Sequence, residues 1–240
     1  MTLVSLLLVM PFPAFAQTQS TPPTSGVLGS AAGSEPVPRS DWNSLPAHEQ
    51  LLEKARKSGI DLYFSGDSIT RRWGTTDAAY QDFLANWKVN FHGWNAGNFG
   101  WGGDTVQNVL WRMQQGELDG VHPKVIVLLA GTNNLGGAAG GSDQVAEEVV
   151  GGLTALLETV REKAPGATIL LTAIMPRNDG AHGVSLMPAI NRINDRLARL
   201  ADRKRICFIN VNDQLADREG KLVGGVTVDG LHLSVKGYQI

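Results

Sequence analysis

The stretch PKVIVLLAGTNN, residues 123–134, decides the class of fold. Residues 125–130 are continuously apolar, which is typical of a strand that helices cover on both faces of a parallel sheet. Two further runs, residues 169–174 and 206–211, are apolar throughout or nearly so. These three runs predict buried strands of one parallel sheet.

Amphipathic stretches alternate with the predicted strands. Residues 145–163 carry apolar side chains on one face, and residues 190–200 repeat them at spacings of three and four. Two shorter apolar runs, residues 62–64 and 89–94, also have the length of strands. This alternation indicates the α/β class, a parallel sheet with helices on both sides. In such sheets, sites form beyond the carboxyl ends of the strands.

The composition bounds the function of the chain. Its 240 residues suit one domain, and a formal net charge of -2 gives no electrostatic reason to expect nucleic acid or an anionic membrane as partner. Cys207 is the single cysteine, which excludes an intrachain disulfide, and its apolar surroundings indicate a buried strand thiol. The histidines outside the motifs below have no metal-ligand spacing, so no metal site is predicted.

The first forty residues are expected to lie outside the folded domain. Residues 1–16 have the pattern of an export signal, with a short apolar run at 3–10 and the cleavage pattern Ala-Phe-Ala at 14–16. The run is too short to span a bilayer, so no stable membrane insertion is expected. Residues 17–40 are rich in Pro, Ser, Thr and Gly, which predicts a disordered linker. The folded domain is then residues 41–240, and the protein is periplasmic or secreted.

A serine follows the first predicted strand. Ser68 lies in the string Gly66-Asp67-Ser68, where the glycine permits a tight turn that would present the serine hydroxyl. A serine in this position can also act as the N-cap of a helix. Taken alone, this segment favours the capping role.

Two further strand ends carry groups that could bind a developing negative charge. One is the glycine-rich turn around Gly103, whose backbone N–H is a candidate donor; tight packing of the turn is the alternative. The other is Asn133, whose side-chain amide can donate without being titrated, although asparagine is common in turns.

An aspartate and a histidine, Asp229 and His232, lie three residues apart near the C-terminus. On one loop, the carboxylate can hold the imidazole tautomer and stabilise the imidazolium that forms when the histidine accepts a serine proton. A surface loop with unrelated polar residues is the alternative for this segment in isolation. Together with Ser68, the pair would supply the nucleophile and base of a serine hydrolase.

Four motifs, in this order, resemble those of a known family. They are GDSIT at 66–70, NFGWGGDTVQNVLWRM at 98–113, PKVIVLLAGTNN at 123–134 and DGLHLSVKGY at 229–238. The pattern is similar to that of the SGNH branch of the GDSL esterases, in particular to the brain-type platelet-activating-factor acetylhydrolase catalytic subunits and their bacterial esterase relatives. The resemblance covers nearly all of residues 60–238.

The resemblance implies a three-layer α/β/α sandwich with a five-stranded parallel sheet, the flavodoxin-like SGNH hydrolase fold. It implies Ser68 as nucleophile, His232 as general base and Asp229 as the orienting partner of the histidine. The oxyanion hole would consist of the backbone N–H groups of Ser68 and Gly103 and the side chain of Asn133. The reaction is then a two-step acyl transfer through an acyl-serine, with no metal and no cofactor.

Two features depart from the family pattern. Residues 136–142 (GGAAGGS) form a glycine-rich insertion beside Asn133. The chain stops at Ile240, where the family has a closing helix, and residues 235–240 are about half an average helix. A truncated C-terminal helix is therefore expected.

Three more side chains are candidates for substrate contact. Trp101 lies inside the glycine-rich turn, where its ring could stack on a sugar or form the wall of an acyl pocket. Arg177 and His182 lie in the loop that follows the fourth predicted strand and should border the same cleft.

The expected activity is hydrolysis of short-chain carboxylic esters, acetyl esters above all. The acetyl preference is implied by the resemblance, and a saccharide alcohol is a hypothesis from export and the tryptophans. The alternatives are a lysophospholipid or acetylated-phospholipid hydrolase, an acyltransferase with the same triad and, last, a non-catalytic carbohydrate-binding module. The expected partner is a small-molecule or saccharide ester; the oligomeric state stays open, with a homodimer as one alternative.

Overall fold

A five-stranded parallel sheet forms the centre of the computed structural model, which describes residues 32–137, 141–178 and 185–240. The sheet has the order β2-β1-β3-β4-β5. The strands are β1 (Leu62–Gly66), β2 (Ala96–Gly100), β3 (Val125–Leu129), β4 (Thr168–Thr172) and β5 (Ile206–Ile209). The helices are α1 (Ser44–Arg56), α2 (Ser68–Gly74), α3 (Gln81–Asn90), α4 (Val106–Arg112), α5 (Asp143–Lys163), α6 (Met187–Leu197), α7 (Asn212–Leu215) and α8 (Val235–Tyr238).

The register of the sheet brings three strand ends together. β1 lies between β2 and β3, and Gly66 pairs with Gly100 on one side and with Leu129 on the other. Each of these three residues is the last of its strand. The segments that follow β1, β2 and β3 therefore leave the sheet at the same edge, which is the edge where a site is expected.

Helices cover both faces of the sheet. On one face Tyr63, Ile126 and Leu128 belong to the main core, together with apolar side chains of α1, α4, α5 and α6. On the other face Phe64 packs edge-on against Trp73 of α2 and Trp87 of α3, with ring centroids 6.0 and 4.8 Å apart. The three-layer α/β/α sandwich with five parallel strands is thereby confirmed.

Most of the predicted elements have a counterpart in the structure. The amphipathic stretch at 145–163 corresponds to α5, and the one at 190–200 corresponds to α6 followed by a single 3-10 turn. The three continuously apolar runs correspond to β3, β4 and β5, and residues 62–64 lie in β1. Buried strands and long helices are thus the elements that sequence periodicity locates well.

The prediction of a strand at residues 89–94 is wrong. Residues Gln81–Asn90 form α3, and the second strand begins only at Ala96. Val89 and Trp94 are 81% and 60% exposed, so this apolar run is not a buried strand. The buried side chains of α3 are Leu84 and Trp87, whose spacing of three is that of a helix.

Residues 32–40 differ from the expected disordered linker, because they lie against the folded domain. The backbone N–H of Val37 donates to the carbonyl of Gln107 (3.1 Å), and Asn108 Nδ2 donates to the carbonyl of Val37 (2.9 Å). Gly33 lies so close to α5 that a Cβ there would be 2.0 Å from the carbonyl oxygen of Glu148. The contacts of the domain thus extend to residue 32, while the predicted export signal and the start of the linker lie outside the described residues.

The last elements of the chain bear on two predictions, the buried thiol of Cys207 and the truncated C-terminal helix. Cys207 lies in the edge strand β5 and is half-buried rather than buried. Tyr238 of α8 donates from its hydroxyl to the carbonyl of Ile69 (2.5 Å), which ties this helix to α2. The truncated C-terminal helix stays a prediction.

Candidate active site

Ser68 is the first residue of α2, immediately after the turn that ends β1. Asp67 is the N-cap of this helix, and its Oδ1 accepts a hydrogen bond from the backbone N–H of Ile69 (2.9 Å). The turn lies directly against β3, because a Cβ on Gly66 would be 2.2 Å from the carbonyl oxygen of Leu129. Glycine is thus required here by close approach, and the turn presents Ser68 at the edge of the sheet.

A chain of hydrogen bonds joins Ser68, His232 and Asp229. Ser68 Oγ lies 2.9 Å from His232 Nε2, and His232 Nδ1 lies 2.7 Å from Asp229 Oδ2. Both distances are those of well-formed hydrogen bonds. Ser68 is far in sequence from the other two residues, and the fold brings the three side chains together. In this geometry the imidazole can accept the serine proton while the carboxylate holds its other nitrogen.

The loop before α8 fixes the carboxylate of Asp229. Its Oδ1 accepts from the backbone N–H groups of Leu231 (3.1 Å) and His232 (2.7 Å), and Gly230 has the positive φ of 83° that lets the chain turn back. Partial burial opposes ionisation, but these amides and the His232 ring outweigh it and lower the pKa of Asp229 to about 2. Arg72 Nη1 is a further cation near Asp229 Oδ2, at 3.5 Å.

The turn after β2 runs beside Ser68. It spans Trp101 to Asp104, with the Asp104 N–H donating to the Trp101 carbonyl (3.4 Å), and a Cβ on Gly102 would lie 3.9 Å from Ser68 Cβ. Gly103 has φ +82°, which side chains disfavour. Within the described part of the chain, no acceptor pairs with the backbone N–H of Gly103 or of Ser68. Both N–H groups are therefore free to bind an oxyanion.

Asn133 lies in the 3-10 turn (Thr132–Leu135) that follows β3. Its Nδ2 donates to the backbone carbonyl of Asp104 (2.8 Å), which joins this turn to the glycine-rich turn. An amide nitrogen carries two hydrogens, so one donor remains for a ligand. Asn134 holds the two turns together from the other side, since its Oδ1 accepts from the N–H of Val106 (3.0 Å).

Replacing Asn133 by alanine is expected to lower kcat by about 10²–10³-fold while KM changes little, because the donor acts on charge that exists only in the transition state. Steady-state kinetics on nitrophenyl acetate measure both constants. Asn90→Ala is the control, since its exposed amide on α3 bonds only to Asn86 and lies outside the site. A rise in KM at constant kcat would make Asn133 a ground-state contact instead.

Asp67 is a buried carboxyl next to the candidate nucleophile. It is 1% exposed, and its Oδ2 has no hydrogen-bond partner among the described residues. Burial raises the pKa of Asp67 to about 7; the nearby carboxylate of Asp104 adds to this effect, and the cation of Arg177 opposes it. This carboxyl therefore holds its proton to a much higher pH than an ordinary aspartate does.

A buried network of ion pairs around Arg112 contacts the ends of β1 and β2. Arg112 donates through Nε to Asp104 Oδ2 (2.7 Å) and through Nη1 to Glu117 Oε2. The same guanidinium reaches the backbone carbonyls of Phe99 (3.2 Å) and Gly66 (3.3 Å), at the ends of β2 and β1. Both carboxylates are fully buried, and Arg112 neutralises them while it also binds the two carbonyls, so the network fixes the ends of both strands.

The three side chains predicted to contact substrate, Trp101, Arg177 and His182, differ in where the structure places them. Trp101 is half-buried, with the Arg71 guanidinium 4.7 Å from its ring, and it borders a cleft of about 280 Å³ that also contacts α1 and α2. Arg177 is buried, and its Nη1 donates to the carbonyl of Thr132 (2.7 Å), so it supports the Asn133 turn from beneath instead of facing a substrate. His182 lies outside the described residues.

Residues 32–137, 141–178 and 185–240 hold no group of three or more His, Cys, Asp or Glu side chains that could bind a metal ion. The same residues include no helix with the length and hydropathy needed to cross a bilayer.

Sequence reasoning missed three residues that touch the site. Asp67 could have been found, because an aspartate between a strand-ending glycine and a helix is a usual N-cap. Arg72 lies on the helical face that points towards Asp229, but a spacing of 157 residues carries no such signal. Arg39 lies in the stretch predicted to be a linker, and the composition of that stretch gives no sign of its contacts with the glycine-rich turn.

Comparison with known proteins agrees with this geometry. Residues 64–240 match the model of the GDSL-like lipase/acylhydrolase family. Platelet-activating factor acetylhydrolase IB subunit alpha1 of Bos taurus is 32% identical over 85% of this chain and 83% of its own length.

Solved structures show the same fold. A GDSL-like lipase from Bacteroides thetaiotaomicron has a TM-score of 0.59 at 20% identity, over 80% of this chain and 91% of that chain. A catalytic mutant of an acetylxylan esterase from Geobacillus stearothermophilus has a TM-score of 0.53 at 15% identity, over 76% and 90%. The chain thus belongs to the GDSL-like lipase/acylhydrolase family and is a carboxylic ester hydrolase.

Proposed function

We propose that this protein hydrolyses short-chain carboxylic esters, acetyl esters foremost, through an acyl intermediate on Ser68. The observation that carries the proposal is the unbroken chain of hydrogen bonds from Ser68 Oγ through His232 to Asp229. The proposal is also supported by the backbone N–H groups of Ser68 and Gly103, which have no acceptor among the described residues. The side-chain amide of Asn133 lies at the same strand ends.

In the first step, Ser68 Oγ attacks the ester carbonyl carbon while His232 Nε2 takes the hydroxyl proton. The carbonyl oxygen becomes an oxyanion, which the N–H groups of Ser68 and Gly103 and the amide of Asn133 stabilise. The tetrahedral intermediate then collapses, the bond to the alcohol oxygen breaks, and His232 returns the proton to the leaving alcohol. Asp229 stays ionised throughout and stabilises the imidazolium.

In the second step, water attacks the acyl-serine and gives a proton to His232. Collapse of the new tetrahedral intermediate releases the carboxylic acid, and the proton returns to Ser68 Oγ. An alcohol such as a sugar hydroxyl could replace water in this step, which would make the same triad an acyltransferase.

The acetyl preference is supported by the relatives, since the curated ones are named as acetylhydrolases. A saccharide as the alcohol is supported by the half-buried Trp101, which lies in the glycine-rich turn beside Ser68 and whose ring could stack on a sugar. Export of the protein is part of the same proposal and is supported by the sequence of residues 1–16. An acetylated phospholipid is the second candidate substrate, because the relatives are named after platelet-activating factor.

A series of nitrophenyl esters from acetyl to palmitoyl tests the acyl preference. We expect kcat/KM to be highest for acetyl and to fall steadily as the chain lengthens, with Ser68→Ala protein as the control for non-enzymatic hydrolysis. A maximum at decanoyl or beyond would contradict a short-chain esterase. Acetate release from acetylated xylan, compared with release from an acetylated phospholipid, then separates the saccharide from the lipid.

A further inference from the structure

The segment before α1 carries an arginine that reaches the glycine-rich turn. The backbone N–H of Val37 donates to Gln107 and its carbonyl accepts from the Asn108 side chain, which fixes this residue to α4 and places Arg39 at the turn between β2 and α4. Arg39 Nη1 donates to the carbonyl of Gly102 and, at 3.2 Å, to Asp104 Oδ1. Its Nε donates to Asp41 Oδ2 at 2.6 Å. The guanidinium is thus held by ion pairs on both sides and is directed at one backbone carbonyl.

That carbonyl belongs to the peptide unit that carries the Gly103 N–H. The two groups share one plane, and in a trans peptide they point in opposite directions. Arg39 lies on the carbonyl side, and it also covers the α-carbon of Gly103, where a Cβ would be 2.9 Å from Nη1. The N–H therefore points away from Arg39, while the Gly102 side of the turn faces Ser68.

The turn has the geometry of one of two closely related turn types. It closes with a hydrogen bond from the Asp104 N–H to the Trp101 carbonyl, and its third residue, Gly103, has φ +82°, as a type II turn requires. A type I turn differs from it mainly by a rotation of the central peptide through about 180°. With glycine at both central positions, neither form is excluded by side-chain contacts. In the rotated form, the Gly102 carbonyl would point where the N–H now points.

We propose that Arg39 is a positioning residue that locks the Gly102–Gly103 peptide with its N–H towards Ser68. A cation on the carbonyl opposes the rotation and also polarises the peptide, which makes the N–H a stronger donor. Arg39 acts only through this peptide and touches neither the ester nor the triad. The inference rests on the proposed role of the Gly103 N–H in binding the oxyanion.

Arg39→Met tests the lock, because methionine keeps the apolar stem and removes every donor. We expect kcat to fall about 10–100-fold, less than the 10²–10³-fold loss of a whole donor, because part of the population keeps the productive peptide. KM, the pH profile of kcat and the melting temperature are expected to stay close to those of the wild type. Arg39→Lys should restore most of kcat, since its ammonium group can reach the same carbonyl.

A boronic acid with a short alkyl chain supplies a second readout, because it forms a tetrahedral adduct with the serine that places an oxygen in the oxyanion site. Its inhibition constant should rise in Arg39→Met by the same factor by which kcat/KM falls. Arg196→Met is the matched control, since Arg196 pairs with Glu147 at 2.6 and 2.7 Å on α6 and α5. That variant should keep wild-type kcat and wild-type inhibition.

The outcomes separate this inference from the proposed function. If Ser68→Ala is inactive while Arg39→Met keeps kcat within threefold, the lock is wrong and the triad stands. A loss of kcat that follows a lower melting temperature and is not restored in Arg39→Lys also overturns the lock, because Arg39 would then only stabilise the fold. If Arg39→Met does not fold, Arg39→Lys decides. A kcat below one-tenth of the wild-type value, together with a wild-type inhibition constant for the boronic acid, would reject the lock. Full activity of Ser68→Ala would remove the proposed function itself.

Discussion

Replacing Ser68 by alanine is expected to lower kcat for nitrophenyl acetate by about 10⁶-fold, the loss seen when the nucleophile of a serine hydrolase is removed. The hydroxyl makes the covalent bond, and no other group of the site can take its place. The fold should survive, since the only side-chain hydrogen bond of Ser68 within the described residues is the one to His232. The melting temperature of the variant is therefore expected to match that of the wild type.

A covalent label identifies the nucleophile independently of rates. An alkyl phosphonate should add the mass of one phosphonyl group to the wild-type protein, and peptide mapping should locate it on Ser68. The half-buried Ser234, which caps α8, is a useful internal comparison, because its hydroxyl is engaged with the Gly225 carbonyl (2.5 Å). Labelling at Ser234, or unaltered turnover by Ser68→Ala, would contradict the assignment.

Asp229→Asn is expected to lower kcat by about 10³–10⁴-fold, because an amide can hold the imidazole in the wrong tautomer and cannot stabilise the imidazolium. The Ser68–His232 hydrogen bond should persist, since Asn has nearly the shape of Asp. Its Oδ1 can still accept from the N–H groups of Leu231 and His232. The effect should therefore appear in kcat and not in the melting temperature.

The pH profile distinguishes the carboxylate from the imidazole. Because the pKa of Asp229 is lowered to about 2, this group is ionised at every pH above about 3 and contributes no limb to the profile there. The fall of wild-type activity on the acid side should thus come from groups other than Asp229, and the general base is among them. In Asp229→Asn the midpoint of that fall should move to lower pH, because the negative charge that favours the imidazolium is gone.

Stopped assays between pH 4 and 9 measure this shift. Asp213→Asn is a suitable control, because Asp213 is exposed on α7 and forms none of the described hydrogen bonds of the triad. An unchanged midpoint in Asp229→Asn, or full wild-type activity at pH 4, would argue against a histidine base held by Asp229.

The candidate site was predictable because its chemistry lies at the ends of strands with a strong pattern. Ser68 and Asn133 follow β1 and β3, which are adjacent, and parallel strands end at one edge. The Asp229–His232 spacing places both side chains on one tight loop. Each of these local features alone also fits a helix cap, a turn or a surface loop, and the four motifs in their order are what identified the site.

The errors have a different physical origin. β2 is an edge strand with the sequence AGNFG, whose small residues give little apolar pattern, while the apolar run before it is the end of a helix and a turn. The apolar pattern therefore placed the second strand at residues 89–94 instead of at β2. The residues at 32–40 are fixed by backbone hydrogen bonds and by one glycine contact, and neither depends on the hydrophobicity by which order is recognised.

The buried Asp67 makes folding a proton-linked equilibrium. In the unfolded chain this carboxyl has the ordinary aspartate pKa of 3.8, whereas burial raises the pKa to about 7 in the folded protein. Below pH 4 both states hold the proton; between about pH 4 and 7 only the folded state holds it, so the contribution of this group to stability falls as pH rises. The whole change amounts to about 4 kcal/mol. Between about pH 4 and 7, the contribution of Asp67 to the stability of the turn that presents Ser68 therefore rises with acidity, whereas turnover is expected to fall.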